Sequence, residues 1–187
     1  MTTSPTGTAM QPPERCEECG FTAAAVTPAN AEDTVRALGR RYRAPLTRLL
    51  PGEDAEVLRR RPDPATWSAL EYAGHVRDLI ANWGQALHLA VTQDRPHLAR
   101  PDPGIADRWA AEQDYNHLEP AAVADQLAAN ADRMAAKVAT VGHDAWDRVV
   151  FFGEEEMTAL ALVQKVAHEG GHHLLDIGRS LRAARQK

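Results

Sequence analysis

The sequence predicts an all-α protein built as a four-helix bundle. Three observations carry this reading. Four segments repeat apolar residues three and four positions apart, the period of a helix with one buried face. Aromatic residues make up only 5% of the 187-residue chain while Ala is abundant, which favours close-packed helices over a β-sandwich. Pro- and Gly-rich connections separate the segments. The length suits one domain with a sizeable core, and a hydrophobic content of 44% is enough to fold it.

Residues 1–13 are rich in Thr, Pro, Ser and Gly, so a flexible N-terminal segment is expected over 1–29, with a Cys turn inside it. Asn30 is a good N-cap for the first helix, whose apolar face is Val35, Leu38, Tyr42, Leu46 and Leu49. Pro45 removes an internal hydrogen bond and should kink or divide that helix, and Pro51-Gly52 should end it. Pro62 and Pro64 break the connector that follows. Ser68 and Glu71 then form a capping box for a second helix reaching to about Val91. Its apolar face includes Leu70, Ala73, Val76, Ile80, Trp83 and Leu87, and His75 lies in its second turn.

A Pro-rich connection over 92–104 precedes a short polar helical piece, 105–117, carrying Trp109 and Tyr115 and placed to cover one end of the bundle. Pro120 fits the first position of the third long helix. Val123, Leu127, Ala131, Met134, Val138 and Val141 form its packing seam. Residues 146–153 read as a short extended piece, and Glu154 to Glu156 as a solvated turn. Thr158 can cap the last helix, with Met157 and Leu162 as its hydrophobic staple. That helix ends in Arg179, Arg182, Arg185 and Lys187, cations that suit a helix C-terminus.

A formal charge of -5 argues against a dedicated nucleic-acid binder. No apolar run is long enough to span a bilayer, and no signal-peptide core is seen, so a cytoplasmic protein is expected. Cys16 and Cys19 form C-E-E-C ahead of Gly20-Phe21, which resembles half of a zinc knuckle. One such pair supplies two of the four ligands a structural zinc needs. Two inert thiols in a surface loop are an equal alternative, and a redox dithiol or disulfide is less supported.

The chemistry is concentrated in His168-Glu169-Gly170-Gly171-His172-His173-Leu174-Leu175-Asp176. Residues four apart share a helix face, so His168, His172 and Asp176 form a column in which two imidazoles can share a divalent metal. A third ligand is needed, with one position left open for chemistry. The string is H-E-x-x-H, but a zinc peptidase is disfavoured. No Glu follows Glu169, and Leu175 stands where the metzincin pattern requires Gly. Gly170 and Gly171 are costly inside a helix, about 1 kcal/mol each, and suggest a close approach by another helix or a ligand. A solvated His-rich helix end without metal is the plainer alternative, and three His in six residues on an apolar helix weigh against it. Apart from that pair, His75 is the one His within an apolar helix. A core histidine is its plain reading, and a bundle in which helices face one another makes it a candidate third ligand. His88, His97, His117 and His143 fall near helix ends or in loops, and His173 points about 100° away from His172.

The stretches Trp67-Ser68-Ala69-Leu70-Glu71-Tyr72-Ala73-Gly74-His75-Val76-Arg77-Asp78 and His168 to Ile177 resemble the DinB-like (YfiT-like) metal-binding four-helix bundles. Cys-x2-Cys-Gly-Phe at Cys16 to Phe21 is similar to a subgroup of them. The resemblance places the domain at residues 30–187 and implies a divalent ion, commonly zinc or nickel, held by His75, His168 and His172. It further implies a transferase or isomerase using a low-molecular-weight thiol such as mycothiol or bacillithiol. Arg77 and Arg179 are candidate cations for the thiol's carboxylates. The alternatives are a metal-dependent hydrolase, with Glu169 as catalytic base, and a metal-binding protein or sensor without turnover. The expected partners are a small-molecule substrate and the thiol, with a homodimer as an open arrangement. Asp176 is then expected to orient His172.

Overall fold

The computed structural model describes residues 10–102 and 104–186. Residues 1–9, Pro103 and Lys187 lie outside these, and with them the expected mobility of 1–9 and the end of the basic tail. The elements in order are α1 (Ala31–Thr47), α2 (Glu56–Arg59), α3 (Ala69–Thr92), β1 (His97–Leu98), α4 (Ile105–Glu112), α5 (Pro120–Ala139), β2 (Val149–Phe152), β3 (Glu155–Thr158) and α6 (Ala159–Ala184). The four long helices α1, α3, α5 and α6 make the all-α bundle, with a small three-stranded sheet beside it.

Around the bundle the neighbours are α1 with α5, α5 with α3, α3 with α6, and α6 with α1. Helices α1 and α3 touch only sparingly, so these two sit across a diagonal. The arrangement lays α3 directly against α6, the two helices that carry His75 and the His-rich stretch. The core follows the predicted faces. Val35, Leu38, Tyr42, Leu46, Leu70, Val76, Ile80, Leu87, Leu127 and Met134 are all buried. Each such large apolar side chain contributes about 1.5–3 kcal/mol by leaving water.

The helix ends follow local chemistry. Ser68 Oγ accepts from the Glu71 backbone N–H at 3.2 Å, and Glu71 Oε2 accepts from the Ser68 N–H at 2.9 Å, completing the capping box. Glu71 is also gripped by Arg61. Thr158 caps α6 by accepting from Ala161 N–H, and Pro120 opens α5. Asn30 departs from the expectation. Its side chain turns back to accept from Thr27 N–H and donate to Ala25, bracing the incoming chain instead of capping α1. Pro45 does not divide α1. It sits in the last turn, and the helix stops at Thr47, earlier than Pro51-Gly52. A proline this near the end costs little, because few internal bonds follow it.

The extended piece is longer than expected. Strands β2 and β3 pair antiparallel, with Phe152 opposite Glu155 and Val149 opposite Thr158, and β1 pairs parallel to β2. Glu155 and Glu156 therefore belong to a strand rather than a solvated turn. Their backbone is paired while their side chains reach Arg100 and Arg95. Residues 10–29 are packed at several points. Met10 and Val26 are buried, and Gln164 Nε2 donates to the carbonyls of Ala23 and Val26 at 3.0 and 3.1 Å.

Candidate metal centres on the last helix

Helix α6 presents its polar residues in two columns. Its buried seam runs Leu162, Val166, Gly170, His173, Ile177, Leu181, stepping by three and four. His173 lies in this seam and faces the bundle core. His168 and His172 lie beside it, half-buried, toward the N-terminal turn. Gly170 fixes how closely α1 approaches. A Cβ there would stand 2.8 Å from Leu38 Cδ2, and the Gly170 carbonyl accepts from the buried Tyr42 hydroxyl at 2.8 Å. Gly171 meets nothing within 4 Å, so the expected close approach belongs to Gly170 alone.

The first cluster is His75 of α3 with Glu169 and His173 of α6. One donor atom from each lies within 4.8 Å of the others. The His75 and His173 rings meet edge to face, 5.1 Å between centroids. Trp67 abuts His75 and Tyr72 abuts His173, each at 5.3 Å, walling the cluster with aromatic surface. Glu169 Oε2 is 3.4 Å from His173 Nε2, and Glu169 Oε1 is 3.0 Å from Lys165 Nζ. Asp176 Oδ2 lies 3.1 Å from His173 Nδ1.

Burial, helped by the charge of His173, pushes the His75 pKa down to about 3 and leaves an unprotonated imidazole at neutral pH. Burial would also lower His173, but the hydrogen bonds its ring donates to Asp176 and Glu169 outweigh it and raise it to about 9. For Glu169 burial again opposes charge. The neighbouring His168, His173 and Lys165 prevail and hold the carboxyl well below the usual carboxylate range.

The second cluster is Cys16, Cys19, His168 and His172, whose four donor atoms also lie within 4.8 Å of one another. The Cys turn is a tight one. Gly20 N–H donates to the Cys16 carbonyl and Cys16 N–H to the Phe21 carbonyl, both at 2.9 Å. Gly20 takes φ +74°, a conformation that favours glycine. Phe21 packs on the His168 ring at 5.1 Å. The two cysteines are free thiols. Burial raises both. Cys16 is nonetheless brought down to about 6 by the Cys19 and Glu18 backbone N–H groups and by His168 and His172, whereas Cys19 stays raised.

The structure thus divides the expected ligand set. His168 and His172 are together, 5.4 Å between ring centroids, but their companions are the two cysteines. His75 is grouped with Glu169 and His173. Asp176, expected beside His172, is 3.7 Å from its Nε2 and closer to His173. The 100° step that set His173 aside is the step that turns it toward α3. The signal was in the sequence: Glu169 and His173 are also four apart, and His173 continues the apolar seam while His168 and His172 do not. Arg77 and Arg179 are engaged, the first by Asp78 at 2.6 Å, the second by Glu18 at 2.9 Å and Asp176 at 3.3 Å. His117 and His143 pair with exposed neighbouring aspartates, and His97 stacks on Phe151.

The family model of the DinB superfamily matches residues 26–177. The fold is similar to YfiT from Bacillus subtilis, described as a probable metal-dependent hydrolase with an unusual four-helix bundle topology. That match has a TM-score of 0.72 at 14% identity and covers 92% of this chain and 91% of that one. It is also similar to the mycothiol-dependent maleylpyruvate isomerase, with a TM-score of 0.64 at 18% identity, covering 84% of this chain and 63% of that one. A mutant of that isomerase matches at the same TM-score and 17% identity. The chain therefore spans less than two thirds of the isomerase's length. No curated protein matches in sequence.

Proposed function

The chain belongs to the DinB superfamily, and from that premise we propose that it is a divalent-metal-dependent enzyme acting with a low-molecular-weight thiol, as an S-transferase or isomerase. The observation that carries the reading is the convergence of His75, Glu169 and His173 from two helices. Two imidazoles and one carboxylate are a donor set that suits a zinc-like or nickel-like ion and leaves a coordination position open.

The surrounding residues fit this role. His75 offers a free lone pair at neutral pH. Asp176 accepts from Nδ1 of His173 and so aims Nε2 at the cluster, the carboxylate–histidine arrangement common behind metal ligands. Binding an ion displaces the proton that His173 holds, so affinity rises with pH toward about 9. Lys165 balances the Glu169 charge, and Trp67 and Tyr72 limit water on the flanks. When bound, the ion lowers the pKa of a thiol and presents thiolate at neutral pH.

Thiol chemistry is favoured over hydrolysis because of what the carboxylates already do. Glu169 serves as a ligand in this donor set, with Lys165 beside it, and Asp176 is turned to His173 and Arg179. Neither is left to act as a general base on water, the role first expected of Glu169. A thiol whose pKa such an ion would lower to neutrality could release its proton to solvent without a carboxylate base. The kinship in fold with a mycothiol-dependent isomerase agrees with this, and mycothiol is the first thiol to try.

The test is turnover by metal-loaded protein with mycothiol, bacillithiol or glutathione and simple electrophiles, including cis-olefinic acids. Product that requires both metal and thiol is expected. Metal-dependent hydrolysis of an ester or amide, unaffected by any thiol, would overturn the reading.

A further inference from the structure

We propose that Cys16, Cys19, His168 and His172 form a second metal site, a closed Cys2His2 zinc clip that fastens the turn ahead of the bundle to the last helix. Four features of the cluster lead there.

The donor chemistry is that of structural zinc: two thiols and two imidazoles, with the cysteines separated by two residues. The spacing fits as well. With zinc–sulfur near 2.3 Å and zinc–nitrogen near 2.0–2.1 Å, a tetrahedral site has sulfur-to-nitrogen edges of about 3.5–3.6 Å. Cys16 Sγ and His172 Nδ1 are 3.5 Å apart. The backbone is already folded as a knuckle. Arg15 and Thr22 bridge across the turn, the Gly20 N–H closes on Cys16, and Gly20 takes the left-handed conformation that the turn requires.

The fourth feature is His168. Among the described residues, its two ring nitrogens are the buried side-chain polar atoms that lack a hydrogen-bond partner. Leaving an imidazole so placed is costly unless something else binds it. Glu169 Oε1 lies 3.4 Å from Nδ1, and the flanking Phe21 ring offers no acceptor. A metal coordinated by one of these nitrogens removes that penalty. His172 is prepared in the complementary way, with Nδ1 toward Cys16 and Nε2 toward Asp176 at 3.7 Å.

With all four positions filled by protein, this site has no vacancy for substrate, unlike the cluster of His75, Glu169 and His173. Its effect is architectural. Residues 168 and 172 alternate on α6 with 169 and 173, so the clip holds the helix turn that carries two of the proposed catalytic ligands. It does not depend on the thiol reaction: metal content, the sulfur-to-metal band and thiol protection decide it.

The experiment uses full-length protein, reduced and reconstituted with Zn2+ or Co2+. About two equivalents of zinc per chain are expected, and the cobalt form should show an intense sulfur-to-cobalt charge-transfer band with tetrahedral ligand-field absorption. Zinc should also protect Cys16 and Cys19 from alkylation. His75→Ala should lose one equivalent and keep the band. Cys16→Ser/Cys19→Ser should lose the band and one equivalent. Wild-type protein without the band, or with both thiols freely alkylated in zinc, overturns the clip, whether or not the double variant folds. Two intact equivalents in a folded double variant overturn it too. Failure of the thiol reaction with the band present leaves the clip standing and counts against the proposed function alone.

Discussion

Asp176 Oδ2 lies 3.1 Å from Nδ1 of His173, one helical turn away on the buried side of α6. The same oxygen is 3.7 Å from Nε2 of His172, so one carboxylate stands behind an imidazole of each cluster. Asp176 is itself held by Arg179, which in turn reaches Glu18 in the Cys turn. The His columns of α6 are thus oriented from a common anchor.

Replacing Asp176 by Asn keeps the size of the side chain and removes its charge. His173 loses the charged partner that enhances its basicity. Metal affinity at the His75 cluster should fall about 10- to 100-fold, as read by competition with a chromophoric chelator. Unchanged affinity would show that the carboxylate does not support the ligand.

The ligand sets can be told apart by single substitutions. His75→Ala, Glu169→Gln and His173→Ala should each abolish thiol-dependent turnover while the sulfur-to-cobalt band survives. His168→Ala and His172→Ala should weaken that band and leave measurable turnover. The opposite pattern, with His168 and His172 essential for turnover and His173 dispensable, would favour the set of His75, His168 and His172 that the resemblance implies.

That contrast shows where sequence reading reached and where it stopped. The four long helices, the Ser68–Glu71 box, the Thr158 cap and Pro120 at a helix start were legible because each depends on residues near in sequence. Which column of α6 faces α3 was not, since it depends on the rotation of one packed helix against another. Two overlapping i, i+4 pairs, His168/His172 and Glu169/His173, compete for that role. The apolar seam through Val166, His173 and Ile177 decides between them. The nearness of Cys16 to His172 joins residues 156 positions apart, and local pattern carries no trace of it. Of the small sheet, the stretch containing β2 was legible, but β1 was not: it is only two residues long and pairs with a strand far along the chain.

Gly170 and Gly171 provide a stability test of the packing against α1. Both gain the same helix propensity on replacement by Ala, about 1 kcal/mol. Only Gly170→Ala forces a methyl against the buried Leu38, at 2.8 and 2.9 Å from its two terminal carbons. Overpacking of this kind costs about 1–3 kcal/mol. Gly170→Ala should therefore be less stable than Gly171→Ala by about that amount in urea titrations. Equal stabilities would mean that Leu38 repacks freely.

The last prediction concerns acid. Asp78 on α3 accepts from the Tyr115 hydroxyl at 2.6 Å and from Trp109 Nε1 at 3.1 Å, and pairs with Arg77 at 2.6 Å. Burial opposes its charge, but these partners prevail and hold the carboxyl below its ordinary value of 3.8. The unfolded chain then binds a proton at higher pH than the folded one. The stability this group contributes is fully present above pH about 4 and is lost as pH falls through the lower folded value. Asp78→Asn should lower stability at neutral pH by about 1–3 kcal/mol, because the Arg77 charge loses its half-buried partner. The variant should also show a flatter decline below pH about 4. Thermal or urea unfolding across this range checks both. The network ties α4 and the turn at Tyr115 to α3, so the variant should expose Trp109 further, visible as a red shift of its fluorescence. Acid sensitivity identical to wild type would mean that other carboxylates govern the transition.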